Sequence, residues 1–316
     1  MRIVFLEPIG MRTDQIENVC RVFEDEGHDL VIYSDRTENE AELIQRAKGA
    51  DIAVISNIPL KASFFKAVPS LKYLSVAFAG VDHIDMAYCN QHGIQVRNAA
   101  GYSTQAVAEL ALGLMIDQLR QISRFDHVTR RGGSRKNFLG KEICGKTAGI
   151  IGLGAIGIRV AQLLQAFGAK VIAYNRSVKH VEGVTQVSLD ELLQTSDILT
   201  IHTPLTAETR NMIDASAFQK MKPTAILVNT ARGAVVDQQA LLNALETGQI
   251  AGAAIDVYPE EPPLPETNPL LGTDHSTLLP HIGYATEEAF EYRLQIMAEN
   301  IAFFLKQTDV SHQLKS

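Results

Sequence analysis

The stretch Thr147–Gly157, T-A-G-I-I-G-L-G-A-I-G, constrains this chain more than any other. Ala148–Ile151 is a short apolar run of the kind that forms a buried parallel strand. Gly152, Gly154 and Gly157 follow in G-x-G-x-x-G spacing, where that strand must turn into a helix. Ile156, Val160, Leu163, Leu164 and Phe167 recur at helical spacing, Gly168 can cap the helix, and a second strand, Val171–Tyr174, comes next. This is the context that the dinucleotide fingerprint requires. Its glycines have separate tasks: a tight turn, close approach of backbone to a pyrophosphate, and close packing of helix on strand. The pyrophosphate belongs at the helix N-terminus, where unpaired N–H groups and the helix dipole favour an anion.

At 316 residues the chain is long for one domain, so two are expected. Net charge is −7 and the pI about 5.7, which argues against a nucleic-acid partner or an acidic membrane surface. Cys20, Cys89 and Cys144 are far apart and form no C-x-x-C pair, so neither a disulfide framework nor a metal site is expected. The N-terminus, M-R-I-V-F-L-E-P, is too short and too soon charged for a signal peptide. No run of 18 apolar residues exists, so no membrane span is expected and a cytoplasmic protein is the reading.

Short β-rich runs alternate with helical spacings along the chain. Arg2–Leu6, Leu30–Tyr33, Ile52–Ile55, Tyr73–Val76 and Ile94–Val96 form a first strand series without a glycine fingerprint. Ile198–Ile201, Ala225–Val228, Ala253–Val257 and Thr277–Leu279 continue the fingerprint unit. Such alternation predicts an α/β protein: two Rossmann/flavodoxin-like domains with parallel sheets, the cofactor domain inserted into the substrate domain. The boundaries read as 1–98 plus 288–316 for the substrate-binding lid domain and 99–287 for the dinucleotide-binding domain. Thr104–Gln118 is apolar on all sides, which predicts a helix at the domain junction and covered by a second subunit. A homodimer is therefore expected. Arg120–Lys146 reads as an exposed loop excursion that could clasp the partner.

In an open parallel sheet, ligands bind beyond the carboxyl ends of the strands. After Ala225–Val228 comes N-T-A-R-G, after Ala253–Val257 comes Y-P-E-E-P, and after Thr277–Leu279 comes P-H-I-G. Three successive strand ends thus offer an arginine (Arg232), a carboxylate (Glu260 or Glu261) and a histidine (His281). Hydride arriving at a carbonyl puts charge on its oxygen, which an acid must neutralise. Histidine titrates near neutrality and suits that task. A carboxylate beside it favours the imidazolium. Arginine binds a substrate carboxylate as a two-pronged fork. Together these parts specify reduction of a 2-keto acid, or the reverse oxidation, with a nicotinamide carrying the hydride.

Four blocks now make a family resemblance plain: F-A-G-V-D-H-I-D at 78–85, the fingerprint at 152–157, N-T-A-R-G at 229–233, and D-V-Y-P-E-E-P at 256–262 followed by P-H-I-G at 280–283. Between about Tyr73 and Ala285 the chain resembles the D-isomer-specific 2-hydroxyacid dehydrogenases. The resemblance implies that Arg232 binds the substrate carboxylate and carbonyl, that His281 donates or accepts the proton, and that Glu261 tunes His281. It implies that Asp256 meets the nicotinamide carboxamide and that Ala155, Ile156, Thr203, Pro204, Thr230, Ala231 and Gly283 contact the cofactor. Backbone around Ala79 and Gly80 would hold the substrate carboxylate. Phe78, Tyr102 and Tyr284 stand where they could line the pocket, which suggests an apolar or bulkier 2-keto acid. A regulatory ACT domain like that of long phosphoglycerate dehydrogenases is not expected.

One position departs from the NAD pattern, which places an acid about 20 residues on to bind the ribose 2′-hydroxyl. Here the region reads Tyr174-Asn175-Arg176-Ser177. Asn175 has no charge to repel a 2′-phosphate, and Arg176 and Ser177 can bind one, so NADP is expected over NAD. The competing reading from another class is a dinucleotide-sensing regulatory protein of the same fold, like the C-terminal-binding corepressors.

Overall fold

The computed structural model describes residues 1–260, 263–273 and 275–313, with side chains as far as Gln307. The chain divides into two compact units, Met1–Ser103 with the segment from Ala285 onward, and Thr104–Tyr284.

The first unit begins β1 (Arg2–Phe5), α1 (Thr13–Asp25), β2 (Asp29–Ile32), α2 (Glu40–Arg46) and β3 (Ile52–Ile55). It continues α3 (Ala62–Ala67), β4 (Tyr73–Val76), α4 (Met86–Gln91) and β5 (Gln95–Asn98). All strands run parallel in the order β2-β1-β3-β4-β5, the flavodoxin-like arrangement. The inner strands β3, an unbroken apolar run, and β4, apolar except for Ser75, are buried along their whole length, whereas β2 and β5 are partly exposed edges. α1 buries Ile16, Cys20 and Phe23, one helical stripe, against this sheet.

The second unit starts with α5 (Thr104–Arg120), α6 (Ile122–Arg130), β6 (Thr147–Ile151), α7 (Ala155–Ala166), β7 (Lys170–Tyr174) and β8 (Val184–Gln186). Then come α8 (Leu189–Thr195), β9 (Ile198–Ile201), α9 (Ala215–Lys220), β10 (Ile226–Asn229), α10 (Gln238–Glu246), β11 (Gly252–Ile255) and β12 (Ser276–Leu278). Its seven parallel strands lie in the order β12-β11-β10-β9-β6-β7-β8. Chain order reverses between β9 and β6, and the crevice beyond the carboxyl ends at that point is where a dinucleotide belongs. Separate apolar clusters cover the two faces, one with Leu192, Phe218 and Leu241, the other with Met115, Val160 and Leu164.

The last helix, α11 (Glu287–Gln313), returns to the first unit, so the cofactor domain is indeed an insertion. Leu294, Met297, Ile301 and Phe304 complete the core beside α1, and Phe304 stacks on Tyr73 with ring centroids 4.6 Å apart. Burying such side chains contributes on the order of 1.5–3 kcal/mol each.

Within the single chain α5 buries Val107, Ala108, Ala111, Leu114, Met115 and Leu119, while Leu110, Leu112 and Ile116 are half-exposed. One local expectation changes. The excursion after Arg120 begins with a helix rather than a loop, because Gln121 turns in the left-handed region (φ 51°) and restarts the chain as α6. None of the α6 residues is buried.

Candidate active site

The three glycines after β6 divide their labour as the fingerprint requires. Gly152 has φ +97°, and a Cβ there would stand 2.6 Å from the His202 carbonyl oxygen. A Cβ on Gly157 would stand 2.0 Å from the Gly152 carbonyl oxygen, so α7 can lie this close only with glycine. Gly154 differs: its Cβ would meet nothing within 4 Å, and the residue lines a pocket of about 320 Å³. Gly154 is the N-cap of α7 and gives the first-turn N–H groups no side-chain acceptor. Backbone that is open, uncapped and positive at its helix end fits a pyrophosphate. Gly157→Ala is therefore expected to lower Tm, since overpacking costs about 1–3 kcal/mol or more. Gly154→Ala leaves Tm in place but weakens NADPH binding by about tenfold or more, as small misplacements at a ligand do. Thermal denaturation and NADPH fluorescence titration separate the two.

Around the same pocket stand Asn175, Arg176 and Ser177 at the end of β7, with Thr203 and Pro204 at the end of β9. Asn175 is occupied within the protein: Oδ1 accepts from the Leu153 N–H at 3.0 Å, and Nδ2 donates to the Ser177 carbonyl at 2.8 Å. An aspartate could accept the Leu153 N–H in the same way but could not donate to the Ser177 carbonyl, and the amide brings no charge. Several lining residues escaped the sequence reading, Lys179, His202 and Glu208 among them. His202 could have been found by the strand-end rule applied to β9. Its Nε2 and the buried Thr200 hydroxyl lie 2.9 Å apart, and desolvation pushes its pKa down to about 3, so the ring stays neutral. Glu208, on the loop after Pro204, is kept ionised first by the Thr206 hydroxyl.

At the end of β10 the chain is folded tightly around Asn229. Its side chain accepts from the Ala231 N–H at 3.1 Å and donates to the Arg232 carbonyl at 3.0 Å. Gly233 then passes so near β11 that a Cβ would stand 1.9 Å from the Tyr258 carbonyl carbon. These two devices leave Arg232 half-buried at the strand end. Thr230 beside it has a buried hydroxyl with no hydrogen-bond partner among the described residues, an orphan that suits a bound cofactor.

The turn carrying His281 is held from β11. Asp256 is 1% exposed, and its two carboxylate oxygens accept the N–H groups of Ile282 and Gly283, both at 2.8 Å. A Cβ on Gly283 would press on that carboxylate at 3.0 Å. His281 takes a left-handed backbone (φ 59°), a costly conformation for a residue with a side chain, and Tyr284 packs edge-on against its ring at 5.5 Å. Asp256 thus positions the turn that carries His281. Glu260 is exposed, and Glu261 lies outside the described residues.

In the first unit, Phe78–Gly80 follow β4, and Asn98 pins this turn by donating to the Ala79 carbonyl at 2.6 Å. Phe78 lies tilted against Tyr102 at 6.4 Å, and Tyr102 is only 4% exposed, packed also on Arg293.

Comparison with known proteins agrees with this chemistry. Residues 112–283 match the family described as D-isomer specific 2-hydroxyacid dehydrogenase, NAD binding domain. The chain is 39% identical over 276 residues to a glycerate dehydrogenase of Methylorubrum extorquens, covering 84% of this chain and 85% of that one. It is 39% identical over 291 residues to a glyoxylate reductase of Thermofilum pendens, covering 88% and 86%. Among solved structures, an acyclic imino acid reductase in complex with NADPH and D-Arg superposes with a TM-score of 0.89 at 33% identity, over 97% of this chain and 98% of that one.

Proposed function

The chain belongs to the D-isomer-specific 2-hydroxyacid dehydrogenases, and we propose that within that family it works as an NADP-linked reductase of 2-keto acids, with Arg232, Glu261 and His281 as its catalytic residues. It is an oxidoreductase that interconverts 2-keto acids and D-2-hydroxy acids with a nicotinamide dinucleotide. The bound nicotinamide supplies or takes up the hydride. The Arg232 guanidinium grips the substrate carboxylate and carbonyl oxygen, which orients the carbonyl carbon and stabilises charge arriving on the oxygen. His281 gives its proton to that oxygen in reduction and takes it back in oxidation. Glu261 is assigned to tune His281, and Asp256 fixes the turn from which His281 acts. Carrying this reading is the rigid presentation of Arg232 and His281 at strand ends on the rim of the sheet that holds the glycine loop.

The case for NADP rests on a neutral Asn175 next to Arg176 and Ser177 at the pocket wall. Purified protein is expected to show a higher kcat/KM with NADPH than with NADH on the same 2-keto acid. Equal or inverted values would remove the preference.

Leu112 and Ile116, one turn apart and half-exposed on α5, are proposed to be covered in a homodimer, with the exposed Ile122 (53%) and Leu139 (81%) as further apolar side chains for the partner to cover. Light scattering should give twice the chain mass of 34.6 kDa. Among the described residues no helix is long and apolar enough to cross a membrane. We place the enzyme in the cytoplasm and assign it small-molecule substrates, with no nucleic-acid partner.

A further inference from the structure

Leu153, between the first two fingerprint glycines, is fully buried in the core by its side chain. Its backbone is gripped on both sides by the turn that leaves β7. The Leu153 N–H donates to Asn175 Oδ1 at 3.0 Å, and the Leu153 carbonyl accepts from Lys179 Nζ at 2.8 Å. The Lys179 backbone N–H is itself fixed, donating to Gln186 Oε1 at 3.0 Å on the neighbouring strand β8. An ammonium group has three protons to give, so one bond to Leu153 leaves capacity for a ligand. Lys179 lines the same pocket as Arg176 and Ser177.

Arg176 makes no hydrogen bond to any described residue, and its charge acts across the pocket on Glu208. The turn brings no carboxylate of its own to that wall, since position 175 is an amide with both ends occupied. Two cations and a hydroxyl on one wall form a donor set for a phosphate monoester, which carries about −1.5 to −2 charge at neutral pH. A neutral ribose hydroxyl would need one acceptor instead.

We infer that Lys179 is a specificity-determining residue that binds the 2′-phosphate of NADP(H) beside Arg176 and Ser177, and that its bond to Leu153 holds it ready to do so. The inference rests on the NADP reading above and adds a residue that the sequence did not point to. A lysine already anchored at its tip loses less side-chain freedom when the anion arrives. The same anchor links recognition of the 2′-phosphate to the loop that receives the pyrophosphate, because one residue, Leu153, touches both.

Isothermal titration of the full chain with 2′,5′-ADP and with 5′-AMP tests this without turnover. The wild type should bind 2′,5′-ADP more tightly than 5′-AMP. Lys179→Met should weaken 2′,5′-ADP by about tenfold, the low end for a charge-assisted bond at an exposed site, and change 5′-AMP far less. Lys179→Arg should restore most of the difference. If Lys179→Met weakens both ligands equally, the lysine only braces the loop and the inference is overturned; if it weakens neither, the same holds. A wild type that binds both ligands alike removes the NADP reading itself and the role of Lys179 with it. A wild type that discriminates, beside a Lys179→Met that still does, sinks the lysine alone. Thermal denaturation of each variant confirms that it is folded.

Discussion

His281→Ala lowers kcat for reduction of a 2-keto acid by at least about a hundredfold, the usual scale of general acid catalysis. NADPH binding should stay close to wild type, because the turn around His281 is held by Asp256 through backbone N–H groups that alanine keeps. Alanine is strained at a left-handed position, so a second variant separates strain from chemistry. Asparagine tolerates that backbone better and cannot donate a proton as an acid at neutral pH. His281→Asn should therefore fold well and lose as much rate as alanine. Wild-type-like rates in either variant would remove His281 from the reaction.

The second large effect is at Arg232. Removing one partner of a fork-like charge pair costs about 2–5 kcal/mol. Arg232→Leu should thus lose roughly thirtyfold to several thousandfold in kcat/KM for the keto acid. Arg232→Lys restores the charge but not the planar fork, so it should recover only part of the loss. Neither change should alter Tm much, because the local backbone is shaped by Asn229 and by the close passage of Gly233 at Tyr258. Steady-state kinetics with both substrates varied checks this; a loss confined to the KM of NADPH would mean that Arg232 serves the cofactor instead.

Much of the architecture could be read from the chain because period and punctuation agree along it. Short β-branched, apolar-rich runs such as Ile52–Ile55 and Ile198–Ile201 are buried along their whole length, as inner parallel strands are. The glycine spacing was informative for the same reason: Gly152 and Gly157 are dictated by contacts, and Gly154 by the space it leaves. Arg232 and His281 were legible because strand ends are where an open sheet places its ligands. The helix α6 was not, since none of its side chains is buried and its start depends on one left-handed residue. Lys179 left no pattern either. It sits on an exposed turn, and its place in the pocket comes from a flexible stem reaching the Leu153 carbonyl. The double hydrogen bond from Asp256 to the turn of His281 joins residues far apart in sequence, which no local spacing announces.

NADPH consumption over a panel of 2-keto acids, with the hydroxy acid product resolved by enantiomer, tests the central claim most directly. The account predicts turnover on at least one of them, one D-2-hydroxy acid formed per NADPH oxidised, and loss of that turnover in His281→Asn. Tight binding of NADPH or NADH with no turnover on any keto acid would contradict it, and would mark the chain as a sensor of dinucleotides rather than an enzyme.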